Sequence, residues 1–221
     1  MPSMDPQPTR RPSVIAVVPI GTLEGAKSRL GETLDAEERR DLVTRLARRT
    51  IEAAVATPAI DETIVVTPDD EVRRLALELG ARPLRQRGQG LNQGLREGRA
   101  EAQAAGADGL LVLPIDLPLV TSATLEALLA ELDDPQRPLA VLVPDRHGRG
   151  TNALLLAPPD AIEFCFGGDS RAAHLDCARS RDVRIVETDG PLTLDLDTPA
   201  DLLAFEGIAP EVVVGETADA R

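Results

Sequence analysis

Strands alternating with helices along an undivided chain predict an α/β domain: an open, mostly parallel sheet covered by helices on both faces. Three observations carry this. The first apolar run, Val14–Ile20 (VIAVVPI), is continuous and rich in β-branched residues, as a strand buried on both faces requires. Further short apolar runs recur with helix-period segments between them. No internal repeat or linker divides the chain, and 221 residues suit one domain.

The elements follow in order. After the loop GTLEGAKSRL (Gly21–Leu30), Asp35 precedes a segment with acidic residues in its first turn. In it Leu42, Val43, Leu46, Ala47, Thr50, Ala53 and Ala54 mark one helical face, and Thr57-Pro58 ends it. Glu62–Thr67 reads as a second strand, Asp69–Leu79 as a helix ended by Gly80, and Arg82–Arg85 as a short third strand. The glycine-rich RGQGLNQGLREG runs into a helix ending near Ala105. Gly109–Pro114 is a fourth strand, and Thr121 or Ser122 caps the helix after it. Leu139–Val143 and Asn152–Leu156 are the fifth and sixth strands, joined by DRHGRGT. Residues 159–180 read as a helix broken at Gly167-Gly168. Val183–Val186 and Leu192–Leu196 read as short strands, and Asp197-Thr198-Pro199 opens a last helix. The expected domain is 13–206, between a proline-bearing disordered tail at 1–12 and a loose acidic tail at 207–221.

Composition narrows the function. With a net charge of −13, no Trp or Tyr and three Phe, the chain lacks both the basic surface and the stacking platforms of a nucleic-acid binder. The first apolar run is too short to span a membrane or form a signal-peptide core, so a cytoplasmic protein is expected. Cys165 and Cys177 have no metal-ligand spacing and read as small packed residues. An acidic protein that handles phosphates must do so locally, with a few cations, backbone N–H groups or a bound metal.

Lys27 is the only lysine; every other basic side chain among the 24 is arginine. A flexible point charge on a loop after the first strand suits a phosphate subsite, where a planar guanidinium does not substitute freely. A single leftover lysine would look the same. The loop is not a P-loop, since Ala26 rather than Gly precedes Lys27. Asp116 leaves a buried strand at the sheet's carboxyl edge, where ligands gather in such folds and where a carboxylate suits Mg²⁺; an Asp opening a turn is the plainer alternative. Asp195 and Asp197 alternate so as to share one face and one cation, although Asp197 also fits a helix cap. Gly90 and Asn92 lie in a GQGLN segment opening a helix, with N–H groups able to meet a phosphate or a base. Thr151, Gly167 and Ser170 offer small hydroxyls and glycine N–H groups. His174, four residues past Ser170, reads more readily as a structural histidine.

The order of these pieces is itself informative. A first strand running into AKSRL, GLN opening a helix, D-L-P after a central strand, GTNALLL, F-G-x-x-S-x-x-x-H and D-L-D-T-P-A-D-L span Val14 to Phe205. As a set they resemble the CofC/FbiD-type guanylyltransferases of deazaflavin coenzyme F(420) biosynthesis. The resemblance implies a single-domain, nucleotidyltransferase-type (Rossmann-like) three-layer sandwich. It implies transfer of GMP from GTP to phosphoenolpyruvate or 2-phospho-L-lactate, with release of pyrophosphate. It places Thr151, Gly167 and Ser170 on the acceptor, and Lys27, Ser28 and Arg29 with Gly90 and Asn92 on GTP. Asp116 and one or both of Asp195 and Asp197 would hold Mg²⁺, with Mn²⁺ as a substitute, leaving Lys27, Arg29 and Asp116 as the catalytic set. Relatives usually carry a basic residue soon after the first strand, where this chain reads Pro19-Ile20-Gly21, which puts more weight on Lys27 and Arg29.

Other readings remain at this point. A molybdopterin- or sugar-phosphate-type nucleotidyltransferase would carry a G-x-x-R-M-G-type loop, absent here. A glycosyltransferase would place its D-x-D where this chain has D-L-P, and a nucleotide-binding regulator would have no need of three carboxylates. The bias to Arg, Ala and Leu points to a GC-rich bacterial genome, where relatives tend to use phosphoenolpyruvate. Oligomeric state is not readable.

Overall fold

The strand β1 (Val14–Pro19) is the spine of the protein, buried along nearly its whole length. Because successive side chains on a strand point to opposite faces, Val14, Ala16 and Val18 enter one apolar layer and Ile15 and Val17 the other. In this computed structural model, which describes residues 10–132 and 137–206, β1 pairs in parallel with β2 (Glu62–Thr67) and β4 (Gly109–Val112). β2 in turn pairs in parallel with β3 (Arg82–Arg85). Beyond β4 lies β6 (Thr151–Ala157), antiparallel both to β4 and to β5 (Leu139–Pro144), and β5 pairs in parallel with β7 (Arg184–Glu187). The seven-stranded order is β3-β2-β1-β4-β6-β5-β7, so β6 alone runs against the rest.

Helices α1 (Ala36–Val55), α2 (Asp70–Glu78) and α4 (Ser122–Leu129) pack their apolar stripes on the layer of Val14, Ala16 and Val18. Helices α3 (Leu91–Ala104) and α5 (Ser170–Ser180) cover the opposite face. The expected three layers and mostly parallel sheet are therefore present. α1 starts where the sequence says it should: the Asp35 carboxylate accepts the Glu37 and Glu38 N–H groups, and the Glu38 carboxylate accepts the Asp35 N–H. Thr121, rather than Ser122, caps α4. Gly98 lets α3 sit close on β1, since a Cβ there would stand 2.7 Å from Val17 Cγ1. The last helix, α6 (Pro199–Glu206), contributes Leu202 and Phe205 to a third cluster with Leu30, Leu42, Leu46 and Leu196. That cluster ties the Lys27 loop to the Asp195–Asp197 segment.

Two expectations are corrected. Residues 159–169 are not helical; the chain turns and then runs without regular structure, burying Ala161, Ile162 and Phe164, and the helix begins only at Ser170. Residues 192–196 form no strand: Pro191–Thr193 is one 3-10 turn, and after it Leu196 N–H bonds across to Asp116 O at 2.9 Å without a ladder forming. The last three residues of the expected N-terminal tail lie against the domain, Arg10 pairing with Asp108 at 2.7 Å and Arg11 with Asp61. Residues 1–9 and the acidic stretch 207–221 lie outside the described residues. Among the described residues no helix is long and apolar enough to cross a membrane.

Candidate active site

Strand direction decides where the chemistry collects. The carboxyl ends of β1, β4 and β5 meet the amino end of the reversed β6, and there a cleft of about 700 Å³ opens. Asp116, Asp195 and Asp197 line it together with Thr151, Gly167 and Ser170, so metal and acceptor candidates share one crevice. An adjoining recess of about 360 Å³ is lined by Lys27 and Ser28, and both hollows share Arg29 and Asp197.

Lys27 is held in an unusual way. Its backbone lies in the left-handed region (φ 51°, ψ 44°), just before the 3-10 turn Ser28–Leu30, a conformation that costs a non-glycine residue roughly 1–2 kcal/mol. The turn throws the side chain inward, only 11% exposed, with Nζ 2.5 Å from Asp197 Oδ1 and 3.6 Å from Asp116 Oδ2. Residues 170 apart in sequence thus meet around one ammonium. Arg29 is mostly exposed (76%), with its guanidinium at the edge of Asp197 at 4.0 Å and otherwise directed to the cleft.

Asp195 is the crowded member. Its burial, then the neighbouring Asp116 and Asp197 carboxylates, raise its pKa above the usual carboxylate value. Among the described residues no three His, Cys, Asp or Glu side chains stand together at metal-binding distances. The donor set nonetheless fits a hard cation. Three carboxylates line the cleft, two of them against one ammonium, and Mg²⁺ asks for one or two carboxylates, completing its shell with phosphate oxygens and water.

The Asp195–Asp197 segment is fixed from behind by Asp201, which the sequence reading passed over. Asp201 is buried, and its Oδ2 accepts the Asp197 N–H at 2.9 Å and the Thr198 N–H at 2.7 Å, while its other oxygen pairs with Arg146. The acid belongs to the first turn of α6, where it satisfies free backbone donors. Arg146 belongs to the β5–β6 turn, which also brings Asp145, His147 and Arg149 to the cleft. Three basic residues in one six-residue turn of an acidic protein were the signal available for these.

Among the acceptor candidates, Gly167 (φ 144°) adopts a backbone conformation that a side chain rarely tolerates, although a Cβ would meet nothing within 4 Å. Ser170 is the first residue of α5, buried at the cleft wall. Thr151 Oγ1 lies 3.0 Å from His174 Nδ1, and His174 Nε2 accepts the Cys165 N–H at 2.9 Å. Burial lowers the imidazole pKa to about 4.

Gly90 and Asn92 sit differently from expectation. Leu91 lines the cleft and they do not. The Asn92 amide is engaged with the Phe166 backbone instead, which makes it a brace between the GQGLN turn and the Phe166–Ser170 loop.

Comparison with known proteins shows the family. The family described as Guanylyl transferase CofC like matches residues 14–207. A phosphoenolpyruvate guanylyltransferase of Sphaerobacter thermophilus is 48% identical over 209 residues, covering 94% of this chain and 98% of that one. One of Rubrobacter xylanophilus is 46% identical over 195 residues, covering 88% and 94%. A nucleotidyl transferase from Methanothermobacter thermautotroptrophicus superposes with a TM-score of 0.63 at 22% identity, over 89% of this chain and 97% of that one, which speaks for the fold alone.

Proposed function

The chain belongs to the CofC-like guanylyl transferase family, and from that premise we propose that it transfers GMP from GTP to phosphoenolpyruvate with release of pyrophosphate. The resemblance in sequence motifs assigns this step to assembly of coenzyme F(420). The observation that carries the reading is the meeting of Lys27, Asp116 and Asp197 at the mouth of a cleft whose far wall is Thr151, Gly167 and Ser170.

The phosphate oxygen of such an acceptor is anionic near neutral pH, so no general base is required. The difficulty is bringing two polyanions into line, and positioning with charge neutralisation supplies most of the catalysis in reactions of this kind. Lys27, fixed between two carboxylates, holds Asp116 and Asp197 in a set orientation and places a positive charge beside the α-phosphate position. Arg29, largely unencumbered, is suited to the outer phosphates. Arg149 brings a guanidinium to the acceptor wall, while Thr151, Ser170 and the Gly167 backbone grip the three-carbon acid. Asp116 with Asp195 or Asp197 would hold Mg²⁺, which when bound neutralises the transferring and leaving phosphates.

The test is a pyrophosphate-release screen with each nucleoside triphosphate against phosphoenolpyruvate, 2-phospho-L-lactate and 3-phosphoglycerate. Turnover is expected with GTP and phosphoenolpyruvate and to cease when divalent cations are chelated. Turnover with 3-phosphoglycerate alone, or with none of the three acceptors, would replace this reading.

A further inference from the structure

His174 is fully buried (0% exposed) one turn along α5 from Ser170, and packs edge-on against Phe166 with ring centroids 4.9 Å apart. Its tautomer follows from its partners. The Cys165 backbone N–H can only donate, so Nε2, 2.9 Å away, carries the lone pair. A ring whose pKa is about 4 is neutral near pH 7, and its single proton is then on Nδ1. Nδ1 stands 3.0 Å from Thr151 Oγ1, so the threonine hydroxyl accepts that bond. The hydroxyl's own hydrogen is left to point elsewhere, and the space Thr151 lines is the cleft.

We propose that His174 is a positioning residue that, by donating from Nδ1, commits the Thr151 hydroxyl to donate into the cleft and so selects an anionic oxygen, carboxylate or phosphate, of the acceptor. The proposal rests on the guanylyl-transfer reading of the cleft. Three bonds run in one direction: Cys165 N–H to Nε2, Nδ1–H to Oγ1, and Oγ1–H to the bound oxygen. Such chains polarise one another, so the last donor is stronger than an isolated hydroxyl. The first donor, Cys165, lies between Phe164 and the Phe166–Gly167 loop, so the same ring also sets the height of that loop at the wall.

Two substitutions separate donation from packing. Glutamine reaches the Cys165 N–H with its carbonyl but offers no donor at the Nδ1 position; asparagine offers an N–H near Nδ1 but does not reach Cys165. His174→Gln is expected to raise the KM for phosphoenolpyruvate about tenfold, the scale of one hydrogen bond to a charged group, with the KM for GTP unchanged. His174→Asn is expected to recover most of that KM while lowering the unfolding temperature. Once Thr151 is Val, His174→Gln should add nothing further to the acceptor KM. In parallel, ¹⁵N spectra of the wild-type imidazole should show a protonated Nδ1 and a bare Nε2. Equal acceptor KM values for the Gln and Asn variants, or an Nε2-protonated ring, would overturn the proposal. A wild-type protein that uses none of the three acceptors, with the Nδ1 proton in place, would count against the guanylyl-transfer reading instead.

Discussion

Asn92 treats Phe166 as one strand treats another. Its Oδ1 accepts the Phe166 N–H at 3.0 Å, and its Nδ2 donates to the Phe166 carbonyl at 2.9 Å, across 74 residues of sequence. A planar amide making both bonds fixes position and orientation together. The GQGLN turn and the Phe166–Ser170 loop are therefore one rigid piece with the cleft between them and the carboxylates.

Asn92→Ala should consequently be felt on both substrates. Losing two hydrogen bonds of about 0.5–1.5 kcal/mol each should lower the unfolding temperature by several degrees, and the KM for GTP and for the acceptor should rise together. Ser170→Ala, by contrast, should raise the acceptor KM alone. Thermal unfolding with steady-state kinetics, each substrate varied in turn, checks this; an Asn92→Ala protein that loses only GTP affinity would assign the amide to the nucleotide.

Lys27→Arg keeps the charge and should still impair turnover by about tenfold or more, because a guanidinium is wider than an ammonium and cannot sit between Asp116 and Asp197 in the same way. Single-turnover measurement at saturating GTP isolates the effect from binding. Unchanged kinetics would reduce the lone lysine to a relic of composition.

Asp116→Asn should cost about two orders of magnitude or more in turnover, the scale of removing a principal electrostatic stabiliser. Mn²⁺ binding followed by electron paramagnetic resonance in the presence of GTP should weaken in parallel. A folded variant with wild-type turnover would remove Asp116 from the metal set.

Stability should fall in mild acid by way of His174. The folded-state pKa of about 4 lies below the ordinary 6.5, so between these values the unfolded chain binds a proton that the native ring refuses. The contribution is complete above pH 6.5 and lost progressively down to pH 4, on the order of 3 kcal/mol in all. Denaturant unfolding of the wild type and of His174→Asn from pH 7.5 to 4.5 should show the wild-type curve falling more steeply. Parallel curves would mean that the buried ring is not the titrating group.

Much of the architecture was legible because local and tertiary demands coincide. β1 is apolar on both faces because it is covered on both, and α1 begins at Asp35 because its carboxylate meets free N–H groups. That Lys27 and Asp116 share a crevice followed from placing each after a strand at one sheet edge; Asp197 joins them from a segment that forms no strand. Legibility failed where the two demands diverge. Residues 159–166 have helix-compatible composition, yet Ile162 and Phe164 reach the core from a segment of bends and irregular backbone. In Leu192–Leu196 the alternation is real, and Leu196 is buried while Asp195 and Asp197 face the cleft, but no neighbouring strand completes a ladder. Asn92 and Asp201 look like candidate ligand and helix surface in one dimension; only the folded chain brings Phe166 and Arg146 to them.

The reversed strand has a consequence for how this enzyme can change over generations. Because β6 runs backwards, β5, its turn and β6 form a local hairpin, and Thr151, Gly167, Ser170 and His174 all fall within one uninterrupted stretch from β5 to β7. The ammonium and its carboxylates come from outside that stretch. On the proposed assignment the groups for the acceptor therefore lie in a single span, and the Asn92–Phe166 and Arg146–Asp201 contacts tie that span to the frame holding the groups for the donor. On that assignment a change of acceptor would be written mainly in one span, with Asn92 and Asp201 kept as its two fixed attachments.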